Sequence, residues 1–138
     1  MSEYKERLSM NRLAIALLLA AFSVNAAAEW VRVASFEKYI AYVDPTTISG
    51  SGAMVKMWSL LDYKTTQESP SGKVYLSGTI LHEYDCQGER FRTLSYSLYT
   101  GPMGLGDPIF TDSGEGKWNP VHPETAGEYS WKFACGKK

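Results

Sequence analysis

The sequence predicts an α+β domain in which an antiparallel β-sheet carries one C-terminal helix, packed on one face and disulfide-linked to it. Three observations predict it. Segments rich in alternating, β-branched and aromatic residues follow one another between Gly-, Ser- and Pro-rich turns from Trp30 to Thr100. Two of those segments carry opposite charges in mutual register on either side of Gln87-Gly88. The two cysteines, Cys86 and Cys135, sit at the end of one strand and near the end of the chain.

Residues 1–28 have the organisation of a secretory signal peptide. Lys5, Arg7 and Arg12 precede the apolar run "LAIALLLAAFSV", and "NAAAEW" supplies small residues at an A-x-A site. The run is shorter than the roughly 20 residues that a transmembrane span needs. Cleavage is expected near Ala28, and Met10 would open a second complete signal. No cysteine stands at the cleavage site to take a lipid, so the expectation is an exported protein without a stable membrane anchor, periplasmic or secreted to the cell surface. Residues 29–138 fit one domain. Loss of Lys5, Arg7, Arg12, Glu3 and Glu6 leaves 11 basic and 13 acidic residues. That near-neutral balance offers no basic surface for phosphate neutralisation, so nucleic acid is not an expected partner.

Within the domain, "WVRVASF" alternates Val31 and Val33 with Arg32, and "KYIAYVD" is rich in β-branched and aromatic residues. Both predict strands, and "DPTT" is expected to stop the second through an X-Pro turn at Pro45. "SGSG" reads as a turn, "AMVKMWSLLDYK" as a central strand and "TTQESPSG" as a polar loop. Strands over 73–86 and 89–100 then flank Gln87-Gly88. A two-residue turn there, with Gly88 at positive φ, pairs Cys86 with Glu89, Asp85 with Arg90 and Glu83 with Arg92. The other face then gathers Leu76, Ile80, His82, Tyr84 and Cys86 with Phe91 and Tyr99. The small residues Gly78, Thr93, Ser95 and Ser97 leave a depression on that face.

After a Gly/Pro-rich loop, 101–118, "HPETAGEYSWKFAC" predicts the helix that fills the depression. Pro123 at its first position and Glu124 in its first turn are start signals, and Ala126, Tyr129 and Phe133 form its inner side. Gly127 is a weak helix former, and a strand over 128–134 is the competing reading. Two cysteines in an exported chain most economically bond to each other. The Cys86–Cys135 loop spans 49 residues by position difference.

Other chemistries fit the spacing less well. His82 and Cys86, four apart on one strand face, lie about 13 Å from each other, too far for a thiol–imidazole pair. Glu83 and Asp85 point away from His82, and no zinc or EF-hand motif occurs, so no metal and no cofactor are expected. Carboxylate pairs such as Asp107 with Asp112 are common in a chain with 15 acids, and Asp85 and Glu83 already have arginine partners. "GPMGLGDP" lacks the G-K-[ST] end of a phosphate loop and reads as a surface loop. Four tryptophans and the many tyrosines either line a core short of aliphatic residues or leave aromatics at the surface for protein contacts.

Four blocks, "WVRVASFEKYIAYVDPTTI", "VKMWSLLDY", "EYDCQGERFRTLSYSLYTGPMGLG" and "WNPVHPETAGEYSWKFACGK", resemble the surface-adhesin E-like family of small exported Gram-negative proteins. The pairing of "YDC" with a C-terminal "C-G-K" is the most specific feature. The resemblance implies about six antiparallel strands, a C-terminal helix disulfide-bonded to the concave face, and adhesin-like binding of a host or envelope protein through the hairpin 73–100. Lys73, Tyr75, Glu83, Asp85, Arg90, Arg92 and Tyr96 are the candidate binding surface, with no catalytic residue and a homodimer through a sheet edge as a further implication. The alternative is a periplasmic ligand carrier or enzyme whose pocket, between sheet and helix, gathers His82, Tyr84, Thr93 and Ser95. A cavity of a few hundred Å³ there would favour it, and a helix packed flush would remove it.

Overall fold

The structure, a computed structural model, describes residues 28–137, so the signal peptide read at 1–28 lies outside it apart from Ala28. Strands β1 (Val31–Ser35), β2 (Tyr39–Ser51), β3 (Met54–Glu68), β4 (Val74–Asp85), β5 (Arg90–Tyr99) and β6 (Pro108–Ser113) form one antiparallel sheet in chain order. The short β7 (Asn119–Pro120) pairs with β5 beside β6, and helix α1 (Ala126–Ala134) packs on one face. The β4–β5 hairpin is therefore interior to the sheet, hydrogen-bonded by β3 on one side and by β6 and β7 on the other.

Pro45 does not end its strand. Beyond Asp44 the ladder skips to Ser49, a bulge that gives the ring a place without a donor. Side chains replace the missing bonds. Asp44 Oδ1 accepts from the Thr46 backbone N–H (3.0 Å), and Thr47 Oγ1 accepts from the Trp58 N–H (3.0 Å) while donating to the Asp44 carbonyl (2.6 Å).

At the β4–β5 turn the predicted pairs Asp85–Arg90 and Glu83–Arg92 are both present. The turn residue at positive φ is Glu89, at 48°, rather than Gly88. Gly88 is needed for a different reason: a Cβ there would lie 2.5 Å from Asp85 Oδ2, whose partner Oδ1 accepts from the Gly88 N–H at 2.8 Å. Further along, the register shifts between Leu81 and His82, so that Leu94 is an extra residue on β5. A one-residue slip exchanges the faces of everything beyond it. Ser95, Ser97 and Tyr99 pair with Leu81, Thr79 and Ser77 on the face away from the helix. Tyr96 and Leu98 take their places opposite Ile80 and Gly78 on the helix face.

The glycine-rich loop is partly a strand, β6, and partly a cover for the sheet. Its 3₁₀ turn, Pro102–Gly104, lies over the face opposite the helix. Met103 N–H donates to Asp62 Oδ1 (2.9 Å) and Gly104 N–H to Ser77 Oγ (2.8 Å). Under this turn Leu60 and Ser77 are fully buried. The residues that resembled a phosphate loop thus bind the protein's own Asp62 and Ser77.

Helix α1 starts later than the proline suggested. Thr125 is the N-cap, its Oγ1 accepting from the Glu128 N–H at 3.2 Å, and Glu128 Oε1 accepts from the Glu124 N–H at 3.3 Å. Pro123 lies in the preceding turn. The helix ends on Gly136 at φ 64°, with Lys137 N–H reaching back to the Lys132 carbonyl at 2.8 Å, a Schellman closure. The inward stripe is Gly127, Ser130, Trp131 and Ala134, with Ser130 and Trp131 buried, whereas Tyr129 and Phe133 are 39% and 37% exposed. Gly127 is required by closeness, since a Cβ there would come within 2.8 Å of the Phe91 ring. Trp131 packs with Val43, Met57 and Tyr84, and its indole N–H donates to the Asp85 carbonyl at 2.9 Å. Cys135, the next residue after the helix, bonds to Cys86 with Cα atoms 5.5 Å apart.

Candidate protein-binding surface

Six of the seven candidate residues divide between the two faces of the sheet, and Lys73 lies just before β4. Glu83, Asp85, Arg90 and Arg92 lie opposite the helix and satisfy one another. Arg92 gives Glu83 Oε1 two bonds, from Nε (2.9 Å) and Nη2 (2.6 Å), and its Nη1 reaches Glu115 at 3.3 Å. Arg90 Nε lies 2.9 Å from Asp85 Oδ2. Both guanidinium groups sit over the Trp118 ring, 4.4 and 4.6 Å from its centre. The Asp85 carboxyl is held below the usual carboxylate range, first by the Gly88 N–H and then by Arg90. This cluster spends its charges internally, clamping the segment around Trp118 to β5. Sequence reasoning found the ion pairs but not Trp118, which no local signal connects to them.

Tyr75 and Tyr96 lie on the helix face, at a hollow that α1 leaves open. Its volume is about 460 Å³, with Gly78 and Ile80 among its lining and Tyr63, Tyr75, Tyr96 and Leu98 around them. A side chain at position 78 would press on Leu98, 3.2 Å away, so the glycine keeps the hollow deep. The small residues Gly78 and Thr93 do create the expected depression, but α1 packs over Met57, Tyr84 and Phe91 instead of filling it. From the hollow a row of rings runs back to the helix: Tyr75 to Tyr63 (5.6 Å), Tyr63 to Tyr39 (5.6 Å), Tyr39 to Phe36 (5.2 Å) and Phe36 to Tyr129 (6.3 Å). Burial raises the Tyr63 phenol above its ordinary pKa, and the neighbouring Tyr75 and Tyr39 add to the shift. Lys73 stays at the β3–β4 tip, exposed, with its carbonyl accepting from Ser69 N–H at 2.8 Å.

The pocket of the enzyme or carrier alternative is small. Between sheet and helix, beside His82 and Ser130, the space is about 110 Å³. Tyr84 is fully buried, and Ser95 is on the other face. His82 Nδ1 lies 3.2 Å from the Tyr84 hydroxyl, with its ring between Tyr84 (5.7 Å) and Phe91 (5.2 Å). Burial pulls the His82 imidazole down to about 4 from 6.5. Protonation then favours the unfolded chain. The His82 contribution to stability is complete above pH 6.5, is lost as pH falls through the interval to 4, and changes no further below it. The full loss is up to about 3 kcal/mol. Thermal unfolding followed by circular dichroism should show the melting temperature falling over that interval, and His82→Phe should flatten the fall. An unchanged slope in His82→Phe would contradict the assignment. Among the described residues, no group of three or more His, Cys, Asp and Glu could hold a metal ion, and no helix is long and apolar enough to cross a membrane.

Comparison with known proteins agrees with this architecture. Two solved structures of protein E from Haemophilus influenzae, one from a non-typeable strain, superpose with TM-scores of 0.58 and 0.55. The first covers 81% of this chain and 87% of that one, the second 80% and 86%, each at 14% identity, a likeness of fold. Among curated protein sequences none matches. The family model of surface-adhesin protein E matches residues 30–136, nearly the whole described domain. The chain belongs to the surface-adhesin protein E family.

Proposed function

We propose that this protein is a non-enzymatic, adhesin-like binding module of the cell envelope, exported with cleavage near Ala28, and that it takes a protein partner on the helix face at Tyr75 and Tyr96. The observation that carries the reading is the open hollow between them, about 460 Å³ and walled by Tyr63, Ile80 and Leu98. Tyrosines around an aliphatic floor offer large contact area at low entropic cost, the usual make-up of an interface centre. Membership of a surface-adhesin family supports a protein as the occupant. On the opposite face the arginines are already paired with Glu83, Asp85 and Glu115. We assign that face to the scaffold.

The test is binding of the exported, signal-cleaved protein to immobilised extracellular-matrix proteins and to envelope extract. Tyr75→Ser with Tyr96→Ser should weaken the interaction by about tenfold or more, as loss of two interface-centre aromatics does. Arg90→Ala should leave it nearly unchanged. Undiminished binding in the tyrosine double variant would move the partner elsewhere.

A further inference from the structure

A second hollow adjoins the first where β5 meets β6, and a carboxylate stands in its lining. Its volume is about 210 Å³, and Thr93 and Tyr96 line both. Asp112 and Gly114 lie on its far side. In the β5–β6 register Asp112 stands directly opposite Tyr96, so the two share a face. Glu83, Asp85 and Glu115 each have an arginine, whereas Asp112 makes no ion pair among the described residues. Its one hydrogen bond there is from the Ser113 backbone N–H to Oδ1, at 3.0 Å. The Tyr96 ring packs on Phe110, 5.4 Å away and 44% exposed, which makes an aromatic partition between an apolar hollow and an uncompensated carboxylate.

Spacing turns this arrangement into a recognition pattern. Ile80, Tyr96 and Asp112 are successive partners across three adjacent strands. At about 4.8 Å between strands, Ile80 and Asp112 are about 10 Å apart. Same-side residues of an extended peptide are about 6.7 Å apart, and a long basic side chain covers the remainder. We propose that the helix face reads an extended protein segment with an apolar side chain and, two residues away, a lysine or arginine. The apolar group enters the hollow at Gly78 and Leu98, and the cation crosses the Tyr96 ring to Asp112. The positive charge meets a carboxylate and an aromatic face together, which selects a basic residue over an acidic or neutral one. This rests on the helix face being the binding face, and adds what that face selects.

Fluorescence anisotropy with labelled octapeptides tests it on the exported, signal-cleaved protein. The peptides differ only in a central Leu-Ser-Arg, Ser-Ser-Arg or Leu-Ser-Glu. Leu-Ser-Arg should bind at least about fivefold more tightly than either other peptide, the scale of one well-placed exposed ion pair or apolar contact. Asp112→Lys, at an exposed position that leaves the core intact, should reverse the preference to Leu-Ser-Glu. Equal affinities for the Arg and Glu peptides, or an Asp112→Lys protein that still prefers Arg, would overturn the pattern. If no peptide binds while a matrix protein is still held in a Tyr75- and Tyr96-dependent way, the pattern is wrong and the binding face stands. If the tyrosines are also immaterial, both are wrong.

Discussion

Replacement of both cysteines, Cys86→Ser with Cys135→Ser, is expected to lower the unfolding free energy by about 4 kcal/mol, the largest effect of any exchange outside the core. The bond closes a loop of 49 residues, and in the chain-entropy model that many freed residues account for the figure. Its position adds a structural consequence. Helix α1 has nine residues, too few to be stable alone in water. Beyond the disulfide it is held mainly by Trp131 and the close approach of Gly127 to Phe91. Urea unfolding of the double variant should therefore show a midpoint lowered in proportion. Raised hydrogen exchange should be confined at first to 125–137. An unchanged midpoint would mean that the sheet holds the helix without the bond.

Trp131→Ala should cost about 3–5 kcal/mol, the range for a buried aromatic truncated in a packed core. The indole is 7% exposed and touches residues of three strands: Val43 on β2, Met57 on β3 and Tyr84 on β4. Its N–H also satisfies the Asp85 carbonyl at the end of β4. Trp131→Phe separates the two contributions. It keeps much of the packing and loses the hydrogen bond, so a cost of about 1–2 kcal/mol is expected. Tyr129→Ala and Phe133→Ala, on the exposed side of the same helix, should each cost less than Trp131→Ala. If Phe133→Ala proves the more damaging, the helix is rotated from the orientation described.

Much of this architecture was legible because strands and helix ends obey local rules. The hairpin register followed from complementary charges at 83, 85, 90 and 92, and the disulfide from two cysteines in an exported chain. What was hidden depended on single residues whose effect is not local. Leu94 carries no mark of a bulge, yet it exchanges the faces of Tyr96 and Tyr99 and so decides which tyrosine reaches the hollow. Pro45 stays within a strand because the Asp44 and Thr47 side chains replace the ladder bonds, an arrangement that "DPTT" shares with an ordinary turn. Residues 108–113 look like loop because Pro108 leads them and the polar Thr111, Asp112 and Ser113 end them, although β5 offers a free edge that they close. Helical spacing pointed to Tyr129 and Phe133 as the inner side, but Trp131 turns inward because Gly127 and Ser130 beside it let the backbone come close. The candidate surface was half legible for the same reason: alternation assigned Glu83, Asp85, Arg90 and Arg92 to one face, while Tyr75 and Tyr96 owe their common face to irregularities in both flanking ladders.

The assignment of the partner to the helix face is tested most directly by hydrogen-exchange protection of the exported protein on addition of a matrix or envelope protein that it binds. New protection in β4 and β5 near Gly78 and Tyr96, with none at the Trp118 clamp, is the result expected. Protection confined to residues 115–120 and the arginine face, with the hollow unaffected, would contradict it.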